Sequence, residues 1–334
     1  MDFISPVYAL FLMQSVAAAE VQEAMLLDTG LTREDLESGA NISMEAFQKL
    51  LLNADRLCDD HIGKIIGTRA GVLTLGTVGS AAAAAPSIRE GFQIINAFTR
   101  LHASYAKGEV FSSHQGLRLS FEFSDKISVT ERFHAESVLF MMQNYLQMVL
   151  GFKMHDGVYM VRHQPPAYAD LYQQWFASPV LFGEESIAVV VPKQYLDRHS
   201  PFYNREVWEQ ALQLLSQQIE ELGEQNQSSY SYHVKSLLRS CDTPLPGLAF
   251  VAGRLHVSER TLNRRLQQEG HTFRELKVAV VLERAREYLR ETSLSVEAIA
   301  GALGYQDVAN FRRSFRSVEG CSPGEYRRVC AGQR

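Results

Sequence analysis

The chain has 334 residues, 46% of them apolar and 21% charged, and carries a formal net charge of −5. That length exceeds one usual domain and predicts two, while the apolar share is ordinary for a globular protein that buries proper cores and excludes a chain too polar to fold. The four cysteines, Cys58, Cys241, Cys321 and Cys330, are scattered without a C-x-x-C pair; this usage fits free thiols in a reducing cytoplasm better than a disulfide framework or a zinc site.

The first stretch, FISPVYALFLMQSVAAAE (3–20), is apolar and ends in small residues as a secretory signal does. Position 2 is Asp, however, and the first basic residue is Arg33, so the positive segment of such a signal is missing. Pro6, Gln14 and Ser15 interrupt it too soon for a membrane span, and it reads as a buried or interface helix. Residues 71–102 read as small-residue helices, with a new helix starting at Pro86-Ser87. The glycines at 71, 76 and 79 do not make a G-x-G-x-x-G fingerprint, which removes a nucleotide loop.

GLRLSFEFS (116–124) puts Leu117, Leu119, Phe121 and Phe123 on one face, the alternation of a half-buried strand. A strongly apolar helix follows at 135–152, then strands at 157–164 and 185–192 with a helix at 167–177 between them. The aromatic residues Tyr105, Phe121, Tyr159 and Trp175 are candidates either for a pocket lining or for core. Trp208, Ala211 or Leu212, Leu215, Ile219 and Leu222 follow helical spacing, as packing within their own domain or as a contact between protomers. The polar run EQNQSS (224–229) ends this segment and predicts domains at 1–225 and 226–334.

Charge divides at nearly the same place. Residues 231–334 hold 17 Lys+Arg against 11 Asp+Glu, a net of +6, which leaves a net of −11 on residues 1–230. A basic C-terminal third on an acidic body suggests that one part meets a polyanion. Arg254, Arg260, Arg264 and Arg265 fall within twelve positions, and a similar pattern returns downstream. AFVAGRLHVSERTLNRRLQQEG (249–270) aligns with EAIAGALGYQDVANFRRSFRSVEG (297–320). Ala252, Gly253 and Leu255 match Ala300, Gly301 and Leu303 at an offset of 48, and Leu262, Arg264 and Leu266 match Phe311, Arg313 and Phe315 at 49. The second turn is therefore one residue longer. Each copy reads as a short helix, a tight turn and a second helix closed by glycine, the helix-turn-helix pattern.

In the first copy Ser258 is placed to cap the second helix, and Leu262 and Leu266 turn toward the core. Arg260, Asn263, Arg264 and Gln267 then face away. In the second copy Phe311, Phe315 and Val318 are expected to form the buried stripe, with Gln306, Ala309, Arg313 and Arg316 opposite and Asn310 and Arg312 on the flanks. Arg pairs bidentately with guanine, and Asn or Gln with adenine, on major-groove edges that distinguish all four base pairs. Between the copies, Val278, Leu282, Ala285 and Leu289 mark an amphipathic helix over 272–292, a rod of about 30 Å. Such a rod holds two reading helices about one DNA turn apart, roughly 34 Å. Thr272 and Ser293 or Ser295 are candidate caps whose helix starts offer backbone N–H groups to phosphates.

The motifs LHVSERTLNRRLQQEG, IAGALGY, FRRSF and GCSPGEYRR, in this order, resemble the AraC/XylS family of bacterial transcription regulators over about residues 230–329. The resemblance implies a seven-helix DNA-binding domain with two helix-turn-helix units. It carries Arg260, Asn263 and Arg264 over as readers of one groove segment, and the region of Asn310, Arg312 and Arg313 as readers of the next. Many members have an arginine near position 281, where this chain has Val281. More loosely, AAPSIREGFQIINAFTRLH and YADLYQQWFASPVLFGEESIAVVVPKQYLDRHSPFYN are similar to the ligand-sensing region of one AraC subgroup, which includes regulators of amino-acid use, quorum sensing and virulence. There the sensing part is an α/β unit with helices rather than a cupin barrel.

The fold expected is therefore multidomain, α/β plus all-α: a helical and mixed α/β sensing domain, then an all-α domain with two helix-turn-helix units joined by a linker helix. Among His61, His102, His114, His134, His155, His163 and His199, none falls in a metal or catalytic motif, and His134 and Glu136, two apart, do not share a helix face. No G-x-S-x-G nucleophile is present, and a fused methyl-transfer activity would need a cysteine cluster where Cys58 stands alone. The expectation is a cytoplasmic regulator rather than an enzyme, without cofactor, metal or membrane. Its expected partners are double-stranded promoter DNA, a second copy of itself, an unknown small-molecule effector and, if it activates, RNA polymerase. The alternatives are a DNA-binding regulator without effector and a bifunctional enzyme-regulator.

Overall fold

The computed structural model describes residues 2–58, 61–103, 105–113, 115–223, 230–255 and 257–331. Two compact units divide the chain: Met1–Val110 with Gln115–Leu222, and Gly223–Arg334 together with Phe111–His114. The boundary expected near residue 226, like His114, lies outside the described residues.

The first unit opens with β1 (Phe3–Ile4) and α1 (Val7–Ser15), then α2 (Ala19–Leu26), α3 (Arg33–Glu37), β2 (Ile42–Ser43), α4 (Met44–Leu57) and α5 (Ile62–Arg69). The opening apolar stretch is a buried helix, as expected, with Tyr8, Ala9, Leu12 and Met13 in the core. The small-residue segment forms α6 (Gly76–Ala83) and α7 (Ile88–His102), with Ser87 preceding α7 as its extended cap residue. Strands β3 (Ala106–Ser112) and β4 (Gly116–Phe123) lead into α8 (Glu131–Leu150), the long apolar helix. Its length and the breadth of its burial make it the hydrophobic centre of the unit.

Beyond α8 come β5 (Val158–Met160), α9 (Tyr172–Trp175), β6 (Val180–Leu181), β7 (Ile187–Pro192), α10 (Lys193–Leu196) and α11 (Arg205–Gly223). The sheet runs β3-β4-β7-β5-β6. β4 and β7 are antiparallel, with Leu117 opposite Val191, Leu119 opposite Val189 and Phe121 opposite Ile187. β5 is antiparallel to β7 and parallel to β6, so the sheet is mixed. β7 is buried at Ile187–Val191 on both of its faces, which explains its continuous apolar run.

Two expectations are shortened by the structure. The 157–164 segment pairs over only three residues, and the 167–177 segment is a 3-10 turn at Ala169–Leu171 followed by the single turn of α9. On α11, Ala211 and Leu215 are buried and Trp208 and Leu212 pack against the same core, which favours packing within its own unit for that part of the helix. The side chains of Ile219 and Leu222 lie outside the described residues. Helices α5 and α8 pack with almost no separation, because a Cβ at Gly63 would lie 2.5 Å from the Glu136 Cβ and one at Gly67 would lie 2.8 Å from the Ser137 carbonyl oxygen. Only glycine fits there.

The second unit is all helical: α12 (Tyr230–Ser240), α13 (Leu248–Arg254), α14 (Glu259–Gln268), α15 (Phe273–Glu291), α16 (Val296–Ala302), α17 (Val308–Glu319) and α18 (Pro323–Ala331). α15 is its spine. Leu276, Val280, Leu282, Ala285 and Leu289 are buried in one core with Leu262, Leu266, Ile299, Phe311 and Phe315. Val278, expected in that stripe, packs only at its edge, and Val281, Arg284 and Leu276 share the buried face instead.

Candidate nucleic-acid interface

Each helix-turn-helix is built from local sequence signals. In the first, α13 contributes buried Val251 and Ala252 and ends at Arg254, and α14 starts at Glu259. The Ser258 hydroxyl accepts the Thr261 N–H at 3.1 Å, one of the amides that no helical carbonyl can satisfy. Leu262 and Leu266 are fully buried, and this fixes the rotation of α14 about its axis. Arg260, Asn263, Arg264 and Gln267 are in consequence exposed together on the outer face. Arg260 and Arg264 form no ion pair among the described residues. Arg265, one step round the helix, lies over the Tyr230 ring at 5.8 Å, so it braces α14 against α12.

In the second unit α16 starts under the Ser295 hydroxyl, which accepts the Ala298 N–H at 3.1 Å; of the two candidate serines, this one caps. The turn from 303 to 307 is one residue longer than its counterpart, as the repeat offset implied. The start of α17 is capped by Asp307, whose Oδ1 accepts the Ala309 N–H at 2.9 Å. Sequence reasoning missed this residue, although an Asp directly before a helix is a strong start signal. It also makes α14 and α17 unlike, since α14 begins under a neutral hydroxyl and α17 under a carboxylate. Phe311 and Phe315 are fully buried, the first against the Tyr305 ring at 5.3 Å and the second edge-on to Tyr326 at 5.5 Å.

Val318 does not complete that stripe. It is 60% exposed, because it sits in the last turn of α17, past the aromatic contacts that cover Phe311 and Phe315. The glycine after it, Gly320, closes the helix in the left-handed region at φ 73°, where a side chain is strained. Gln306, Asn310, Arg312, Arg313 and Arg316 are all exposed. Two of the cations are already engaged: Arg312 pairs with Glu297 of α16 at 2.7 Å, and Arg313 donates to the Asn310 side-chain oxygen.

The linker helix is locked by its own charges. Thr272 and Glu275 form a reciprocal capping box at its start, and the Thr272 N–H and hydroxyl hold the Glu275 carboxyl below the usual carboxylate range. Arg239 of α12 forms a two-pronged pair with Glu283 at 2.7 and 2.8 Å, and Arg286 pairs with Glu319 of α17 at 2.6 Å. Arg284 is buried and donates to the carbonyls of Leu238, Arg239 and Cys241, at the C-terminal end of α12 and just past it. Burial pushes its pKa down. Val281 is in the core, so the linker helix presents no polar group at the position where an arginine is common in the family.

Paired helix-turn-helix units on one rod define the C-terminal unit as a DNA-binding domain. The helix-turn-helix domain family model matches residues 251–329, and that of the N-terminal arabinose-binding domain of the AraC transcription regulator matches residues 22–200. The chain belongs to the AraC family of transcription regulators. It is 26% identical to the ornithine utilization regulator of Pseudomonas aeruginosa over 98% of this chain and 96% of that protein. It is 26% identical to the transcriptional regulator VqsM of the same organism over 79% of this chain and 83% of the other. The crystal structure of the transcriptional regulator CdpR, also from Pseudomonas aeruginosa, aligns over 97% of this chain and 96% of its own with 23% identity and a TM-score of 0.48.

Among the described residues no group of three or more His, Cys, Asp or Glu is placed to hold a metal, and no helix is long and apolar enough to cross a membrane. His134 and Glu136 serve different partners, as their spacing implied. The imidazole meets Tyr105, whereas the Glu136 carboxylate accepts from Tyr168 and Tyr172 at 2.8 and 2.5 Å, and burial raises its pKa.

Proposed function

We propose that this chain is a cytoplasmic, effector-controlled transcription regulator that binds promoter DNA as a homodimer, each protomer inserting α14 and α17 into successive major-groove segments. One observation carries the reading: two repeats with buried Leu or Phe stripes leave matched Arg/Asn/Gln faces exposed on helices held by a single rod of 19 residues, about 28 Å long. That length suits one turn of DNA.

Arg260, Asn263, Arg264 and Gln267 read one box, and Gln306, Asn310, Arg313 and Arg316 the other. Arg312 joins them only by leaving Glu297, and because both partners are more than half exposed the pair is cheap to break. The domains proposed are 1–225 for sensing and dimerisation and 226–334 for DNA. Control by a small molecule is supported by the match of residues 22–200 to a domain whose name in AraC is arabinose-binding. An effector shifts the protein between states only through a difference in its affinity for them. The four cysteines are free thiols, in keeping with a reducing compartment. No catalytic step is assigned, and an activating role would add a contact to RNA polymerase.

Selection of bound DNA from a random pool by the full-length protein, at near-physiological salt, tests this reading. The expected product is a motif with two base-specific boxes about one helical turn apart, repeated if the protein binds as a dimer. Uniform binding without any motif, both alone and with residues 230–331 in isolation, contradicts it.

A further inference from the structure

The first unit holds a cavity of about 70 Å³ among β1, α1, α4, α5, α6, α7, α8, β3 and β4. One water needs only about 10–15 Å³, so the space admits a small organic molecule. Of the aromatic residues expected as pocket or core, Tyr105 and Phe121 are on its wall, whereas Tyr159 is core and Trp175 belongs to a separate ring cluster with Tyr168 and Tyr172.

The wall is chemically lopsided. Among the described residues it carries no Asp, Glu, Lys or Arg. Its polar side chains are Tyr8, Thr99, Tyr105, His134 and Ser137. Ser137 donates to the Phe133 and Gly63 carbonyls at 2.7 and 3.1 Å, Thr99 to the Ile95 carbonyl, and Tyr8 is bonded to Thr74. The Tyr105 hydroxyl meets His134 Nδ1 at 3.2 Å. His134 Nε2 is left buried without a hydrogen-bond partner among the described residues. The Phe47 and Phe123 rings, edge-on at 5.9 and 5.8 Å, fix the plane of the imidazole, and burial pushes its pKa down to about 3, so it is neutral at pH 7. An unpaired buried polar atom is rare enough in native cores to need a cause. A ligand that meets it is one.

We infer that this cavity is the ligand site of the sensing unit, and that its ligand is an uncharged, mostly apolar molecule with one hydroxyl or carbonyl group that pairs with His134 Nε2. The inference rests on the regulator reading and names the class of effector. It sets this chain apart from what the names of its relatives suggest. Ornithine would bury three charges, two ammonium groups and a carboxylate, against a wall with no countercharge, and a sugar would bury several hydroxyls without partners.

The test uses the full-length protein and a matched set of probes in calorimetric titration: benzyl alcohol, toluene, benzoate and benzylammonium, with L-ornithine and L-arabinose alongside. Benzyl alcohol is expected to bind about fivefold more tightly than toluene, the worth of one net hydrogen bond. The charged probes, ornithine and arabinose are expected to bind at least about a hundredfold more weakly than benzyl alcohol. In His134→Phe the two neutral probes become equal, with specific DNA binding retained as the check on folding. Specific DNA binding without binding of either neutral probe, or equal binding of the charged probes, overturns the cavity assignment and leaves the regulator reading standing. Binding of the neutral probes without specific DNA binding overturns the regulator reading instead.

Discussion

His134 makes the sensing unit sensitive to acid. In the unfolded chain its imidazole titrates at the ordinary value of 6.5, whereas in the folded unit burial among Phe47, Tyr105 and Phe123 holds it near 3. The unfolded state therefore binds more protons than the folded state between those two values, and stability falls as the pH drops through that window. The loss is up to about 1.4 kcal/mol per pH unit, on the order of 5 kcal/mol across it. A domain is stable by only about 5–15 kcal/mol, so this one histidine is expected to contribute a large share of the acid sensitivity. Urea unfolding followed by near-ultraviolet circular dichroism at steps from pH 7 to 4 measures the effect. The wild type should lose about 3 kcal/mol more over that range than His134→Phe, which has nothing to protonate there. Parallel pH profiles for the two proteins would refute the reasoning, because they would mean that the folded unit protonates this histidine as readily as the unfolded chain.

In the DNA-binding unit, Phe311→Ala removes a fully buried ring from between Tyr305 and Phe315 and should cost about 3–5 kcal/mol in urea unfolding, while Val318→Ala, exposed at 60%, should change stability by less than about 0.5 kcal/mol. Thr272→Ala breaks the capping box with Glu275 and should cost about 1 kcal/mol by the same measurement. Arg264→Ala should weaken binding to the selected DNA by about 1–3 kcal/mol and relax the preference at one base. An equal loss on every sequence would make Arg264 a phosphate contact.

What was legible in the sequence followed from periodicity. Leu262 with Leu266 and Phe311 with Phe315 announced the buried side of each reading helix, and burial of all four left the polar faces outward. The alternation of Leu117, Leu119, Phe121 and Phe123 gave β4, and all four are buried. The errors came where period alone decides nothing. Val318 keeps the i, i+7 spacing but lies in a terminal turn that nothing covers. Arg284 has the appearance of a surface charge on an amphipathic helix, and its burial depends on the end of α12, more than forty residues earlier. The cavity was equally illegible. His134 stands out only because Phe47 of α4, Phe123 of β4 and Tyr105, from the turn before β3, meet around it, and no local pattern encodes that meeting.

If the two helix-turn-helix units read DNA together, the length of α15 sets the separation of their boxes. Fluorescence anisotropy at near-physiological salt, on the selected site and on the same site with five base pairs inserted between its boxes, tests it most directly. Half a turn of DNA moves the second box to the opposite side of the duplex, where a rigid rod of about 28 Å cannot carry α17. The insertion is expected to lower affinity to that of a site with the second box scrambled. An affinity unchanged by the insertion would contradict it.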